Sequence, residues 1–195
     1  MIDAIDAILF EPVGALAEFP EGSRRYWDRV SALESKAEPL SVDDRTRLES
    51  FEIEAVEQAV LYDDAGPALS ELSALGITLI AASSLSEIGL TRFLERASLT
   101  HLFRDRWSRD TTAGVGALVL MKAVTAGHLE RSRVLFLADT EAGVRAAQKA
   151  GVNPILMMND PDEAMRLTAC NPAGGIVSLH ELPDFVRLVA ARSRR

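Results

Sequence analysis

The chain has 195 residues, of which 48% are hydrophobic and 26% are charged, and its formal net charge is −8. This length suffices for one α/β domain with a real core and a small insertion. The negative charge argues against a nucleic-acid or anionic-membrane binder, because neutralising phosphates requires clustered Lys and Arg. No apolar run has the length of a membrane span, and acidic residues near the start argue against a signal peptide. The single cysteine, Cys170, excludes an intrachain disulfide and suits a reducing cytoplasm, where we expect the protein to act.

The first predicted element is a buried strand over residues 5–10. Its apolar run stops abruptly at Glu11, Pro12, Val13 and Gly14. An apolar run closed by Pro and Gly is typical of a buried strand followed by a tight turn. The turn places the Glu11 carboxylate just past the carboxyl end of the strand, where ligands bind in open α/β sheets.

Residues 17–62 are more charged and favour helices. Two stretches, 21–37 and 42–60, are separated by a Pro-containing segment, and Ser41 with Asp44 resembles a capping box that starts the second helix. This pattern predicts a small helical cap inserted after the first strand, so that residues 1–16 and 63–195 form the core domain. Tyr26 and Trp27 either face the site or pack the cap against the core.

From residue 64 onwards, predicted helices alternate with predicted strands. The helices cover residues 67–75, 86–97, 115–127, 141–150 and 182–191, and the strands cover residues 77–82, 104–108, 133–138, 154–158 and 176–179. This alternation indicates parallel βαβ units. We therefore expect an α/β fold, a doubly wound (Rossmann-like) parallel sheet of about five strands, with the helical cap inserted in it.

The first strand and its turn resemble the first motif of the haloacid dehalogenase (HAD) superfamily, in which an apolar strand runs into Asp-x-Asp-Gly-Thr-Leu. Phe10, Gly14 and Leu16 keep the frame of that motif, whereas Glu11 and Val13 stand in place of its two aspartates. The strand that ends at Ser83 and Ser84 is similar to the second motif. Residues 137–151 closely match the fourth motif of the subfamily that has a helical cap. The resemblance covers most of the chain and implies the HAD fold.

The resemblance implies a role for each matching position. The first aspartate of the family attacks phosphorus and binds Mg²⁺, and the second acts as general acid and base. Glu11 can still ligate a hard cation, but it is one methylene too long for a nucleophile in a site shaped for Asp, and a misplacement of about 1 Å can cost on the order of a hundredfold. Val13 cannot transfer a proton, and the loss of such a group typically costs about 10²–10⁴ in rate.

The other matching positions are less altered. The resemblance implies phosphate binding by the Ser83 hydroxyl, or else by Ser84; capping of the next turn is the alternative. Asp139 matches the metal-binding aspartate, or caps the following helix, and the implied site is a weak Mg²⁺ site formed by Glu11, Asp139 and the Val13 backbone carbonyl.

Two further positions concern groups that support phosphoryl transfer in the family. Glu141 is a candidate for holding waters of the metal. The lysine of the third motif is not visible in residues 111–118. Lys122 is a candidate to replace it, and a solvated helix face is the alternative for that residue.

Three functions follow as hypotheses. The first is a HAD-like protein with little or no phosphatase activity that binds a small phosphorylated ligand or a protein partner. The second is a Mg²⁺-dependent phosphatase that uses Glu11 in place of the usual Asp. The third, a haloacid dehalogenase, tolerates Val13 but needs a short nucleophile and a lysine. A second copy of the chain is also a candidate partner, through apolar faces of the helical hairpin.

Overall fold

The computed structural model describes residues 4–20, 30, 32, 41–112, 114–158 and 169–192. Apart from two single residues, the first predicted cap helix lies outside these ranges, as do Tyr26 and Trp27, so their predictions stay predictions. Within the described ranges, no helix is both long and apolar enough to cross a membrane.

Strands and helices alternate along most of the described chain. The strands are β1 (Ala7–Phe10), β2 (Ala17–Glu18), β3 (Val60–Leu61), β4 (Thr78–Ala82), β5 (Asp105–Trp107), β6 (Val134–Ala138), β7 (Asn153–Met157) and β8 (Gly174–Ile176). The longer helices are α1 (Val42–Gln58), α2 (Ala65–Ala74), α3 (Glu87–Arg96), α4 (Ala117–Ala126), α5 (Glu141–Ala150) and α6 (Glu181–Arg192). The predicted α/β fold is confirmed, and most boundaries differ from the prediction by only one or two residues.

Six of the strands form one parallel sheet in the order β5-β4-β1-β6-β7-β8. The last strand begins earlier than predicted and ends at Ile176, because the chain then turns towards Asp64. Asp64 accepts hydrogen bonds from the Ser178 hydroxyl at 2.7 Å and from the Leu179 N–H at 2.8 Å. These bonds replace the strand pairing that the apolar pattern predicts for these residues.

Alternate residues of the strands pack on opposite faces of the sheet. In β1, Ile8 and Phe10 join the core on one face, and Ala7 and Leu9 join the core on the other. Residues of α2, α3 and α6 cover the first face, and residues of α4 and α5 cover the second. Both faces of the sheet are therefore buried, which explains why the strands are almost continuously apolar.

A short antiparallel ladder joins the two ends of the segment that is predicted to form the cap. Ala17 pairs with Leu61 and Glu18 pairs with Val60, so these two ends lie side by side. The predicted start of α1 is confirmed, because the Ser41 hydroxyl accepts a hydrogen bond from the Asp44 N–H at 3.1 Å. The predicted division into core and cap stays a prediction.

A buried ion pair joins α1 to the sheet. The Glu52 Oε2 atom on α1 lies 2.5 Å from Nη2 of Arg109, which follows β5, and the two side chains are 1% and 0% exposed. The other carboxylate oxygen of Glu52 accepts from the N–H and the hydroxyl of Ser86, at 2.6 and 2.7 Å. These hydrogen bonds offset the cost of burying a charge, because a buried ion pair needs its remaining polar atoms satisfied.

We expect Glu52→Gln to lower the free energy of unfolding by about 3–5 kcal/mol, because it removes the counter-ion of a buried charge. The amide keeps the size of the side chain and an acceptor oxygen for Ser86, so the charge is the main change. The matched control is Glu57→Gln, since Glu57 pairs with Arg92 at 3.3 Å with both side chains more than half exposed. That control should cost less than about 1 kcal/mol. Urea denaturation measures both, and equal losses would contradict the assigned role.

Candidate functional site

The carboxyl ends of three neighbouring strands bring the predicted site residues together. Because β1 lies between β4 and β6, Glu11 after β1 lies between Ser83 after β4 and Asp139 after β6. The order of the strands thus creates the juxtaposition that the sequence predicts. It does not by itself assign a role to any of the three side chains.

The Glu11 carboxylate is hydrogen-bonded to the turn that follows β4. The Ser83 hydroxyl donates to Glu11 Oε1 at 2.5 Å, and the Ser84 N–H donates to Oε2 at 2.8 Å. Ser83 is fully buried and Ser84 is 2% exposed. Each oxygen of Glu11 therefore has a donor from a buried part of the site.

The turn after β1 approaches Asp139 closely. Val13 and Gly14 have non-helical backbone angles within this turn, Pro12–Ala15, and Gly14 has φ +74°. A Cβ atom on Gly14 would lie only 1.6 Å from Asp139 Oδ2. Glycine is thus required here for two reasons, a positive φ and the contact with Asp139.

One prediction about the residues after β6 is wrong. The N-cap of α5 is Thr140 and not Asp139, because the Thr140 hydroxyl accepts the hydrogen bond from the Gly143 N–H at 3.1 Å. The Glu141 carboxylate pairs with Arg145 one turn further along the same helix at 2.5 Å, as the i,i+4 spacing favours. Its role in holding waters of a metal stays a prediction.

A large cleft opens at this edge of the sheet, with a volume of about 890 Å³. It is lined by Glu11, Val13, Gly14, Glu18, Phe19, Val30, Tyr62, Asp63, Asp64, Pro67, Asp139, Thr140, Met157, Met158, Val177, Ser178 and His180. A cavity of about 30 Å³ lies behind it and is lined by Ser83, Ser84 and Gly116, among others. Glu11, Asp139 and Thr140 line both spaces.

Among the described residues, no lysine or arginine side chain lines the cleft or the inner cavity at the place of the third-motif lysine. Lys122 is exposed on α4 and lines neither the cleft nor the inner cavity, so its predicted substitution for that lysine is not supported. A backbone N–H is present instead, because Gly116 N donates to the Ser84 hydroxyl oxygen at 3.3 Å. Gly116 has φ +55°, and this conformation also starts α4 two residues later than predicted.

Arg109 was missed by sequence reasoning. Among the described residues it is the largest fully buried side chain, and its Nη1 donates to the backbone oxygen of Ser84 at 3.1 Å. The guanidinium thus holds the turn that contacts Glu11. The only signal in the sequence is an arginine directly after a short predicted strand, and this position does not distinguish a buried cation from an exposed one.

The predicted Mg²⁺ site combines two carboxylates, Glu11 and Asp139, with the Val13 backbone carbonyl, and all three residues line the cleft. Both Glu11 oxygens accept hydrogen bonds from Ser83 and Ser84, so a cation would have to share or displace these donors. Within the described ranges, no group of three or more His, Cys, Asp or Glu side chains is arranged to hold a metal. Mg²⁺ binding by the smaller predicted set stays a prediction.

Tyr62 is a second residue that the sequence did not indicate. It lines the cleft, and its hydroxyl donates to the Gly14 backbone oxygen at 3.3 Å. Burial, together with the weaker effect of the negative charges of Asp139, Glu18 and Asp64, raises the pKa of the phenol from 10.0 to about 12. The hydroxyl therefore stays protonated at neutral pH.

We expect Gly14→Ala to lower the free energy of unfolding by more than about 1 kcal/mol, because alanine is strained at positive φ and its Cβ would overlap Asp139. Gly76→Ala is the matched control, since Gly76 has φ +80° but no atom within 4 Å of an added Cβ. Urea denaturation should show the larger loss for Gly14→Ala. Losses of the same size would mean that Asp139 does not restrict this position.

Tyr62 should titrate with a pKa of about 12, which is above its value of 10.0 in the unfolded chain. Because the pKa is higher in the folded chain, ionisation of Tyr62 favours the unfolded chain. The free energy of unfolding is therefore unaffected by this group below pH 10.0, and it falls as the pH rises from there through about 12. The ultraviolet absorbance of tyrosinate measures this ionisation. The chain has two tyrosines, so Tyr62→Phe isolates the signal, and a difference titration centred near 10.0 would contradict the shift.

Comparisons with known proteins show the family and the fold of the chain. A family model described as haloacid dehalogenase-like hydrolase matches residues 28–157. Enolase-phosphatase E1 from Gluconobacter oxydans (strain 621H) is 33% identical over an alignment of 131 residues, which covers 65% of this chain and 57% of that protein. The chain thus spans little more than half the length of this curated relative.

Solved structures show the same fold. A haloacid dehalogenase-like family hydrolase from Streptococcus pneumoniae has a TM-score of 0.73 and 17% identity, with 93% of this chain and 98% of that chain covered. A conserved haloacid dehalogenase-like protein from Agrobacterium tumefaciens str. C58 has a TM-score of 0.72 and 21% identity, with 96% and 100% covered. At these identities the similarity concerns the fold alone.

Proposed function

The chain belongs to the haloacid dehalogenase-like hydrolase family, and we propose that it is a member with little or no phosphatase activity that acts by binding. The proposal concerns the cleft at the carboxyl ends of β1, β6 and β7. Its ligand is a small molecule or, as the sequence also allows, part of a protein partner. The fold alone does not supply this function, which has to be argued from the site.

The observation that carries the proposal is the side chain of Val13 in the wall of the cleft. Val13 occupies the position of the general acid and base of the phosphatases that the first motif resembles. Its side chain is 9% exposed and packs with the core on one face of the sheet. The wall is therefore apolar at the point where a proton would have to be transferred, and such a loss typically costs about 10²–10⁴ in rate.

Tyr62 does not replace the missing acid and base. A phenol with a pKa of about 12 is a weak acid, and the best catalytic pKa lies near the working pH. Its proton is also directed at the Gly14 backbone oxygen. We therefore assign Tyr62 to shaping the cleft.

The size of the cleft supports binding. Its volume of about 890 Å³ lies within the range of roughly 300–1,000 Å³ that is common for small-molecule sites. Apolar side chains such as Phe19, Met157 and Val177 share its wall with carboxylates. This mixed lining favours a small ligand over an extended protein surface, and loss of catalysis leaves it intact.

Haloacid dehalogenase activity is less favoured. It needs a nucleophile that can reach a carbon atom, and both Glu11 oxygens accept hydrogen bonds from the turn after β4. It also needs a lysine, and Lys122 lies outside the cleft lining.

Hydrolysis of p-nitrophenyl phosphate and a set of phosphometabolites with Mg²⁺ tests the proposal. We expect the wild type to be as inactive as Glu11→Ala, because Val13 provides no proton. The double variant Glu11→Asp, Val13→Asp restores both carboxylates of the first motif and tests whether the scaffold still supports chemistry.

Turnover by the wild type that disappears in Glu11→Ala would overturn the proposal. The protein would then be a phosphatase that uses Glu11 in place of the usual Asp. Equal turnover in both proteins would indicate a contaminating enzyme, which a further purification step would remove from both.

A further inference from the structure

We propose that Glu11 is a built-in ligand: its carboxylate occupies an oxyanion site formed by the Ser83 hydroxyl and the Ser84 N–H. A ligand with a phosphate or carboxylate group can use this site only when Glu11 leaves it. This inference deepens the proposed function, on which it rests in treating the cleft as a binding site.

The two donors are fixed before any ligand arrives. The Ser83 hydroxyl oxygen accepts from the Leu85 N–H at 3.1 Å, so the single proton of the hydroxyl is available for Glu11. The peptide of Ser84 is held from the other side, because its carbonyl oxygen accepts from Arg109. The Ser84 hydroxyl also accepts from Gly116 N. Three contacts therefore hold the turn, and its donors do not need to reorganise to bind an anion.

The geometry at Glu11 is that of a bound carboxylate. One oxygen accepts from a hydroxyl at 2.5 Å, and the other accepts from a backbone N–H at 2.8 Å. Hydrogen bonds of this length to an ionised acceptor are among the stronger ones in proteins. The donors are buried, so an acceptor is needed there at all times, and Glu11 supplies it.

Glu11 also lies at the boundary between the donors and the cleft. Like Asp139 and Thr140, it lines both the cleft and the inner cavity, whereas Ser83, Ser84 and Gly116 line only the inner cavity. Among the three residues that line both spaces, Glu11 is the one whose side chain accepts from both donors. Removing its side chain should therefore open space at the boundary and leave the two donors in place.

The test compares binding of inorganic phosphate to the wild type, Glu11→Gln and Glu11→Ala by isothermal titration calorimetry without added metal, with acetate in a parallel series. Glu11→Gln keeps the shape and an acceptor oxygen, so the site stays filled without the charge. We expect Glu11→Ala to bind at least one of the two anions at least tenfold more tightly than either other protein. The two series distinguish a preference for phosphate from one for carboxylate.

Adding Ser83→Ala to Glu11→Ala should remove most of this gain, because one of the two donors is lost. If Glu11→Ala does not fold, Glu11→Asp replaces it, since the shorter side chain withdraws the carboxylate by one methylene and should give a smaller gain of the same sign. Binding within threefold of the wild type, or a gain that survives loss of Ser83, would overturn the inference.

The two tests fail independently. Turnover in the wild type would overturn the proposed function, whereas the comparison of anion binding among the three proteins would still be valid. Equal anion binding would overturn the built-in ligand and leave a binding role for the outer cleft intact.

Discussion

The central place of β1 in the sheet is the constraint on which the site depends. β1 hydrogen-bonds to β4 on one side and to β6 on the other. The residue that follows it is therefore surrounded by the ends of both neighbours, whatever its side chain. In this protein that residue is Glu11, and its extra methylene lets the carboxylate reach the turn after β4. The strand order thus determines which groups meet, and the length of one side chain determines what they do.

The region around the turn after β1 is tightly packed on the side of Asp139. Gly14 leaves no room for a side chain there, and its carbonyl oxygen receives the Tyr62 hydroxyl. The high pKa of that phenol reports both its burial and the carboxylates near it. The chain therefore keeps an accurate scaffold for this turn, although the side chain at position 13 no longer carries a titratable group.

The sequence was sufficient for the fold, because hydrophobic periodicity and the glycines after helices report local geometry directly. The start of α1 at Ser41 and the end of α5 at Gly151, which has φ +75°, are examples. The meeting of Glu11 with Ser83 could also be expected, since it follows from parallel strands. The direction of the Glu11 carboxylate could not, because it depends on hydrogen bonds from a turn 72 positions away.

Contacts between distant segments explain the other differences. Asp139 and Thr140 are both good N-cap residues by type, and only the folded chain shows that the Thr140 hydroxyl accepts from the Gly143 N–H. Arg109 and Glu52 are residue types that are usually exposed, and nothing local marks them as partners. Sequence patterns describe each segment by itself, whereas these pairs form only once the sheet and the inserted helix have come together.

The ion pair between Glu52 and Arg109 has a consequence for how such proteins diversify. An insertion that joins the core through a two-residue ladder looks like a module that could be exchanged for another without touching the sheet. In this chain such an exchange would disturb the core, because α1 carries the carboxylate that pairs with the buried Arg109, and Arg109 in turn holds the turn after β4. A graft that replaced α1 would have to supply an acid at the same place, or change Arg109 as well.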